Sequence, residues 1–156
     1  MRTAAITLLL LLFAAPAHGQ QMEVVGSASS LLAPQEARTA YSPGGSAGTR
    51  FVLSDRQIRA TTFASVGYQA RGSGLFSASL RAAIEGHVGR WRIGSGIGGA
   101  LYAELGDADV GGRDMQPVYS QYVLRDIGRW AVGATFTTTL TSNQASMLGL
   151  TVSRRL

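Results

Sequence analysis

The chain has 156 residues, no cysteine, and a formal net charge of +5 from 14 basic residues, all arginine, against nine acids. Without cysteine there is no disulfide and no thiolate metal site. The arginines are scattered and form no basic stripe, which argues against a nucleic-acid partner; attraction to anionic lipid head groups is the simpler use of the excess.

Residues 1–19 read as a signal peptide. Arg2 gives a positive start, residues 6–15 an apolar stretch, and Ala17-His18-Gly19 the small residues at the positions a signal peptidase reads, so cleavage is expected before Gln20. The apolar stretch is too short to span a bilayer as a helix. Residues 20–156 are the length of one domain. No later stretch is apolar enough for a transmembrane helix, so a spanning structure has to be a closed barrel, the other fold that pairs every backbone group in lipid.

In chain order, residues 24–32 are a candidate first strand, and residues 33–48, with Pro34, Pro43, Gly44, Gly45 and Gly48, read as a loop. A short strand over 50–54 precedes a polar turn at Asp55-Arg56-Gln57. Residues 60–70 alternate, with Ala64, Val66, Tyr68 and Ala70 on the apolar face, and Arg71-Gly72-Ser73 turns the chain back. The clearest strand is Leu75–Val88. Phe76, Ala78, Leu80, Ala82, Ile84, Gly86 and Val88 share one face and Ser77, Ser79, Arg81, Ala83, Glu85 and His87 the other, a separation that only a period of two produces. After a tight turn at Gly89-Arg90, residues 91–105 repeat the pattern, with Trp91, Ile93, Ile97 and Leu101 opposite Arg92, Gly94, Gly96, Gly98, Tyr102 and Glu104. A Gly- and Asp-rich loop over 106–117 precedes strands at 118–126, 130–141 and 145–156, the last two joined by Ser142-Asn143-Gln144. The count is about eight.

The hairpins test the pattern. A two-residue turn at Gly89-Arg90 pairs Val88 with Trp91, Ile84 with Ser95 and His87 with Arg92. A three-residue turn at 71–73 pairs Tyr68 with Phe76 and Val66 with Ala78, and one at 142–144 pairs Trp130 with Leu156, Ala134 with Val152 and Phe136 with Leu150. A slip of one residue would flip a whole strand, so the matching of faces is informative. A two-residue turn at Gly128-Arg129 would put Gln121 and Arg125 on the apolar side; a three-residue turn or a bulge near Ile127 is therefore expected. The polar face then forms an interior network of Arg81, Glu85, His87, Arg92, Tyr102, Glu104, Gln121 and Arg125. With both termini in the periplasm, the short turns fall on that side and the long loops outside. Trp91 and Trp130 then sit at one rim and Tyr68 and Phe76 at the other, as membrane-interface aromatics.

On these features the chain resembles the small outer-membrane barrels of the OmpX and OmpA transmembrane-domain type. The resemblance lies in pattern over most of residues 20–156. It implies an all-β fold, a closed antiparallel up-and-down transmembrane β-barrel of about eight strands, in the outer membrane of a Gram-negative bacterium. The implied partners are outer-membrane lipids, lipopolysaccharide and the barrel-insertion machinery. Such barrels commonly end in an aromatic residue; this chain ends in Leu156, with Arg154 on the expected lipid face. The rival architecture is a soluble lipocalin-like barrel, whose apolar face would line a ligand cavity.

No residue pattern points to a reaction. After loss of His18 the remaining histidine is His87, beside Glu85 and opposite Arg92 on the polar face, where a hydrogen-bonded interior histidine is expected. A lipid-modifying barrel enzyme would need a histidine near a serine, facing outward. Asp107, Asp109 and Asp114 resemble a fragment of a calcium loop, but no bidentate glutamate follows at the required distance. Gly94, Gly96 and Gly98 precede no helix and are no dinucleotide fingerprint. The expectation is a structural or surface-interaction barrel with a filled polar interior, no catalysis and no cofactor; a narrow passive channel and a lipid-modifying enzyme are the alternatives.

Overall fold

The computed structural model describes residues 21–32, 42–53, 57–70, 74–104, 115–141 and 146–156. The expected signal peptide, the turns at 71–73 and 142–144, and Asp107, Asp109 and Asp114 lie outside them, as does the side chain of Glu104. Eight antiparallel strands follow one another around a closed barrel: β1 (Gln21–Leu32), β2 (Ser42–Val52), β3 (Ile58–Gln69), β4 (Leu75–Val88), β5 (Trp91–Glu104), β6 (Gln116–Ile127), β7 (Trp130–Thr139) and β8 (Ser146–Arg155). β8 pairs with β1, so no strand edge is left unpaired. Strands of 10–14 residues are long enough to cross a hydrocarbon layer at the tilt a barrel imposes.

The two faces of the sheet are inverted relative to a soluble protein. Val66, Leu80, Ile84, Ile93, Ile97, Leu148 and Leu150 are exposed on the outside, whereas Glu23, Arg50, Glu85 and Arg92 are buried within. This is the distribution lipid requires. The lipocalin-like alternative needs the opposite and is set aside. Tyr68 and Phe76 lie outside with ring centroids 5.1 Å apart and planes tilted by 55°, and Trp91 and Trp130 are exposed at the end that holds Gln21, Leu156 and the Gly89-Arg90 and Gly128-Arg129 turns. That end is called the turn end below, and the opposite one the loop end.

The β4–β5 register is as expected, with Val88 opposite Trp91, Ile84 opposite Ser95 and His87 opposite Arg92. So is β3–β4, with Tyr68 opposite Phe76 and Val66 opposite Ala78. Three expectations are corrected. First, β2 begins at Ser42, so Pro43, Gly44, Gly45 and Gly48 belong to a strand and not to a loop. Its glycines answer to crowding, since a Cβ on Gly48 would run into the Ala64 carbonyl and one on Gly44 into Gln69.

Second, the β7–β8 register is displaced by two, pairing Trp130 with Arg154, Ala134 with Leu150 and Phe136 with Leu148. A shift of two keeps every side chain on its face, so the pattern of faces is unaffected. Third, β6 and β7 join through a two-residue turn, Ile127 opposite Trp130, with no bulge and with Gly128 at φ 64°. Gln121 and Arg125 therefore point outward, contrary to their expected place in the interior network.

Both outward residues find local partners. The Arg125 guanidinium lies 5.8 Å from the Trp91 ring centroid, at the rim where a long side chain reaches water. Gln121 Nε2 donates to Tyr119 Oη at 2.7 Å, and Ser95 Oγ donates to the same oxygen at 3.0 Å. Arg154 repeats the rim arrangement over Trp130 at 5.4 Å.

Candidate functional site in the barrel interior

The turn-end half of the interior is filled by a closed set of ion pairs. Glu23 of β1 is fully buried and lies at its centre. Its Oε1 accepts from Arg92 Nη1 at 2.6 Å and from Arg155 Nε at 3.4 Å, and its Oε2 from Arg50 Nη1 at 3.5 Å. Arg92, itself almost fully buried, also donates from Nε to Asp126 Oδ1 at 2.6 Å, and Arg155 Nη2 reaches Asp126 Oδ2 at 3.3 Å. Glu85, equally buried, accepts from Arg50 Nη1 at 3.2 Å and from Tyr122 Oη at 3.1 Å, and lies 2.8 Å from His87 Nε2. The Arg50 guanidinium covers the Tyr122 ring at 4.6 Å. Such groups are tolerated away from water because each charge meets an opposite one with hydrogen bonds along the contact.

Glycine on β5 makes room for this packing. Glu85 faces Gly94 and Arg81 faces Gly98 across the β4–β5 pair. A Cβ on Gly94 would collide with the Tyr122 ring, so the tyrosine fills the space glycine leaves.

Of the expected network, Arg81, Glu85, His87, Arg92 and Tyr102 lie inside. Only Glu85, His87 and Arg92 join the ion-pair plug. Glu23, Arg50, Tyr122, Asp126 and Arg155 carry the rest of it and were missed. Tyr122 and Asp126 went missing through the misread parity of β6: the error that put Gln121 and Arg125 inside put their inward neighbours outside. Glu23 fell one residue before the expected start of β1.

Above the plug the interior changes character. A cavity of about 90 Å³ is lined by Ser27, Ser46, Ser65, Ser79, Thr135 and Thr137 among others, with Arg50, Arg81 and Tyr122 toward the plug. Its hydroxyls bond to one another across strand pairs: Ser27 to Ser46 at 2.7 Å, Ser65 to Ser79 at 2.8 Å, Thr135 to Thr151 at 2.7 Å. Among the described residues, the barrel is thus filled by charge toward the turn end and holds above it a cavity lined by hydroxyls together with apolar side chains such as Val25, Phe63 and Val118. Purified chain in planar bilayers is expected to show no steady unitary current, because the plug closes the turn end; a reproducible single-channel conductance would contradict this.

Among the described residues no group of three or more His, Asp or Glu side chains is disposed to hold a metal ion. His87 contacts a carboxylate at the turn end, inside the barrel.

No protein-family model matches the sequence, and a search of characterised proteins gives no match. The fold does have likenesses. The outer membrane enzyme PagL aligns at a TM-score of 0.63 with 12% identity, over 86% of this chain and 99% of that one. The N-terminal β-barrel domain of Pseudomonas aeruginosa OprF aligns at 0.60 with 14% identity, over 88% and 99%. Ail, the attachment invasion locus protein of Yersinia pestis, aligns at 0.53 with 9% identity, over 88% and 97%. In fold, the chain is a small eight-stranded up-and-down barrel of the outer-membrane type, the class its sequence resembles.

Proposed function

We propose that this chain is an integral barrel of a Gram-negative outer membrane, exported through a cleaved signal peptide, with a structural or surface-contact role and not a catalytic one. Its neighbours in fold include both an enzyme and an attachment protein, so the fold alone does not decide; the side chains must. The observation that carries the reading is the employment of the titratable interior. Glu23, Glu85, Asp126 and His87 are engaged with arginines or with one another, and His87 Nε2 faces a carboxylate and, among the described residues, no serine or threonine hydroxyl. A histidine held this way is a hydrogen-bonded member of a packed core. Contacts to other molecules then fall to the loop-end connections and to the apolar exterior, which meets lipid.

Two measurements test this. Cell fractionation should place the chain in the outer membrane, with heat-modifiable mobility on a gel; recovery from the soluble periplasm without detergent would refute the membrane assignment. Mass spectrometry of lipid A from cells with and without the gene should give the same species. A change in acylation that His87→Ala reverses would establish the lipid-modifying alternative instead.

A further inference from the structure

Among the described residues, Arg81 stands apart from the ion-pair plug. Arg50, Arg92 and Arg155 each bond to a carboxylate. Arg59, also directed inward at the turn end, has interactions of its own. Arg81, four residues from Glu85 on the same face of β4, meets hydroxyls instead: Nη1 donates to Thr137 Oγ1 at 3.3 Å and Nη2 to Ser65 Oγ at 3.5 Å. Its Nε is buried and has no partner. The Phe63 ring lies 4.4 Å below the guanidinium and offsets part of its charge.

We propose that the cavity above the plug binds a small oxyanion, held by Arg81 together with the hydroxyls of Ser65, Ser79 and Thr137. Of the two arginines that line the cavity, Arg50 is paired with Glu23 and Glu85, whereas Arg81 meets hydroxyls and, among the described residues, no carboxylate. Water can solvate a guanidinium there but brings no counter-charge. A planar fork of N–H donors is matched by the oxygens of an oxyanion, and charge-assisted bonds of this kind are the strong ones. Serine and threonine hydroxyls rotate to donate or accept as an occupant requires, so those around Arg81 can turn their protons toward an anion. The space, about 90 Å³, is larger than one water needs and suits a compact group.

The test uses the refolded barrel in phospholipid nanodiscs, labelled with ¹⁵N and titrated with inorganic phosphate against chloride at matched ionic strength. The Arg81 Nε–H resonance and the Ser65 and Thr137 amides should shift saturably with phosphate alone. In Arg81→Gln the amide shifts should vanish or saturate at roughly tenfold higher phosphate or more, the loss expected for a charged hydrogen-bonding group. Arg81→Lys, which keeps the charge but not the fork, should lie between. Heat-modifiable mobility checks that each variant folds; if Arg81→Gln does not, Thr137→Val takes its place and should weaken saturation several-fold. Shifts that grow linearly with phosphate, that chloride reproduces, or that persist unchanged in the folded variant would overturn the proposal.

Discussion

Glu23→Ala is expected to lower the unfolding free energy of the barrel by about 3–5 kcal/mol, the usual cost of removing one partner from a buried ion pair. The measurement is urea-induced unfolding in lipid vesicles, read as a shift in midpoint at constant slope. Glu23 is fully buried and accepts from arginines on β2, β5 and β8. Its loss leaves three guanidinium groups in a region that water reaches poorly. Asp126 still holds Arg92 and Arg155, and Glu85 still holds Arg50, which keeps the cost toward the lower end. Glu23→Gln keeps the shape and removes the charge, so a similar loss there assigns the effect to electrostatics and not to packing. A loss below about 1 kcal/mol in both variants, the value of a solvated pair, would show that the plug is wet and the pairs are weak.

Glu85→Ala and Arg81→Ala are expected to differ sharply, although the two residues stand four apart on one face of β4. Glu85 is fully buried and joins Arg50, His87 and Tyr122, so its removal should also cost about 3–5 kcal/mol. Arg81 gives up two long hydrogen bonds to hydroxyls and one contact with the Phe63 ring, and it relieves an unpaired charge. Its removal should cost about 1 kcal/mol or less. The same unfolding experiment checks both. Equal losses would mean that Arg81 has a carboxylate partner in the folded barrel.

The sequence made legible whatever depends on alternation. The faces of β3, β4, β5, β7 and β8 follow from it, and where a turn of fixed length joins two such strands, the register follows as well, as with Val88 opposite Trp91. It failed where composition competes with pattern. Pro43-Gly44-Gly45 has the chemistry of a loop, yet in β2 the glycines are needed because neighbouring backbone leaves no room for a Cβ. It failed again at β6, where polar and apolar residues do not separate cleanly. The rule of polar-inside placed Gln121 and Arg125 wrongly, because Arg125 is satisfied at the rim by Trp91 and Gln121 by Tyr119 on the exterior. The contact between Glu23 and Arg155 was out of reach for a different reason. Glu23 and Arg155 meet because the ring closes, at a separation of 132 residues, and no local pattern records that meeting.

Glu23 also acts as a caliper. β1 and β5 are four strands apart whichever way the ring is followed, so the bond from Arg92 Nη1 to Glu23 Oε1 at 2.6 Å is drawn across the full width of the barrel. Barrel diameter grows with strand number. A ring enlarged by strands from a second chain would pull these two residues out of reach, and one closed with β8 slipped against β1 would carry Arg155 away from Glu23. Either assembly could still complete its backbone ladder and still present an apolar surface to lipid. Only the ring of eight, closed in one alignment, brings the charges home, so the plug discriminates against miscounted and misaligned barrels that backbone pairing alone would accept.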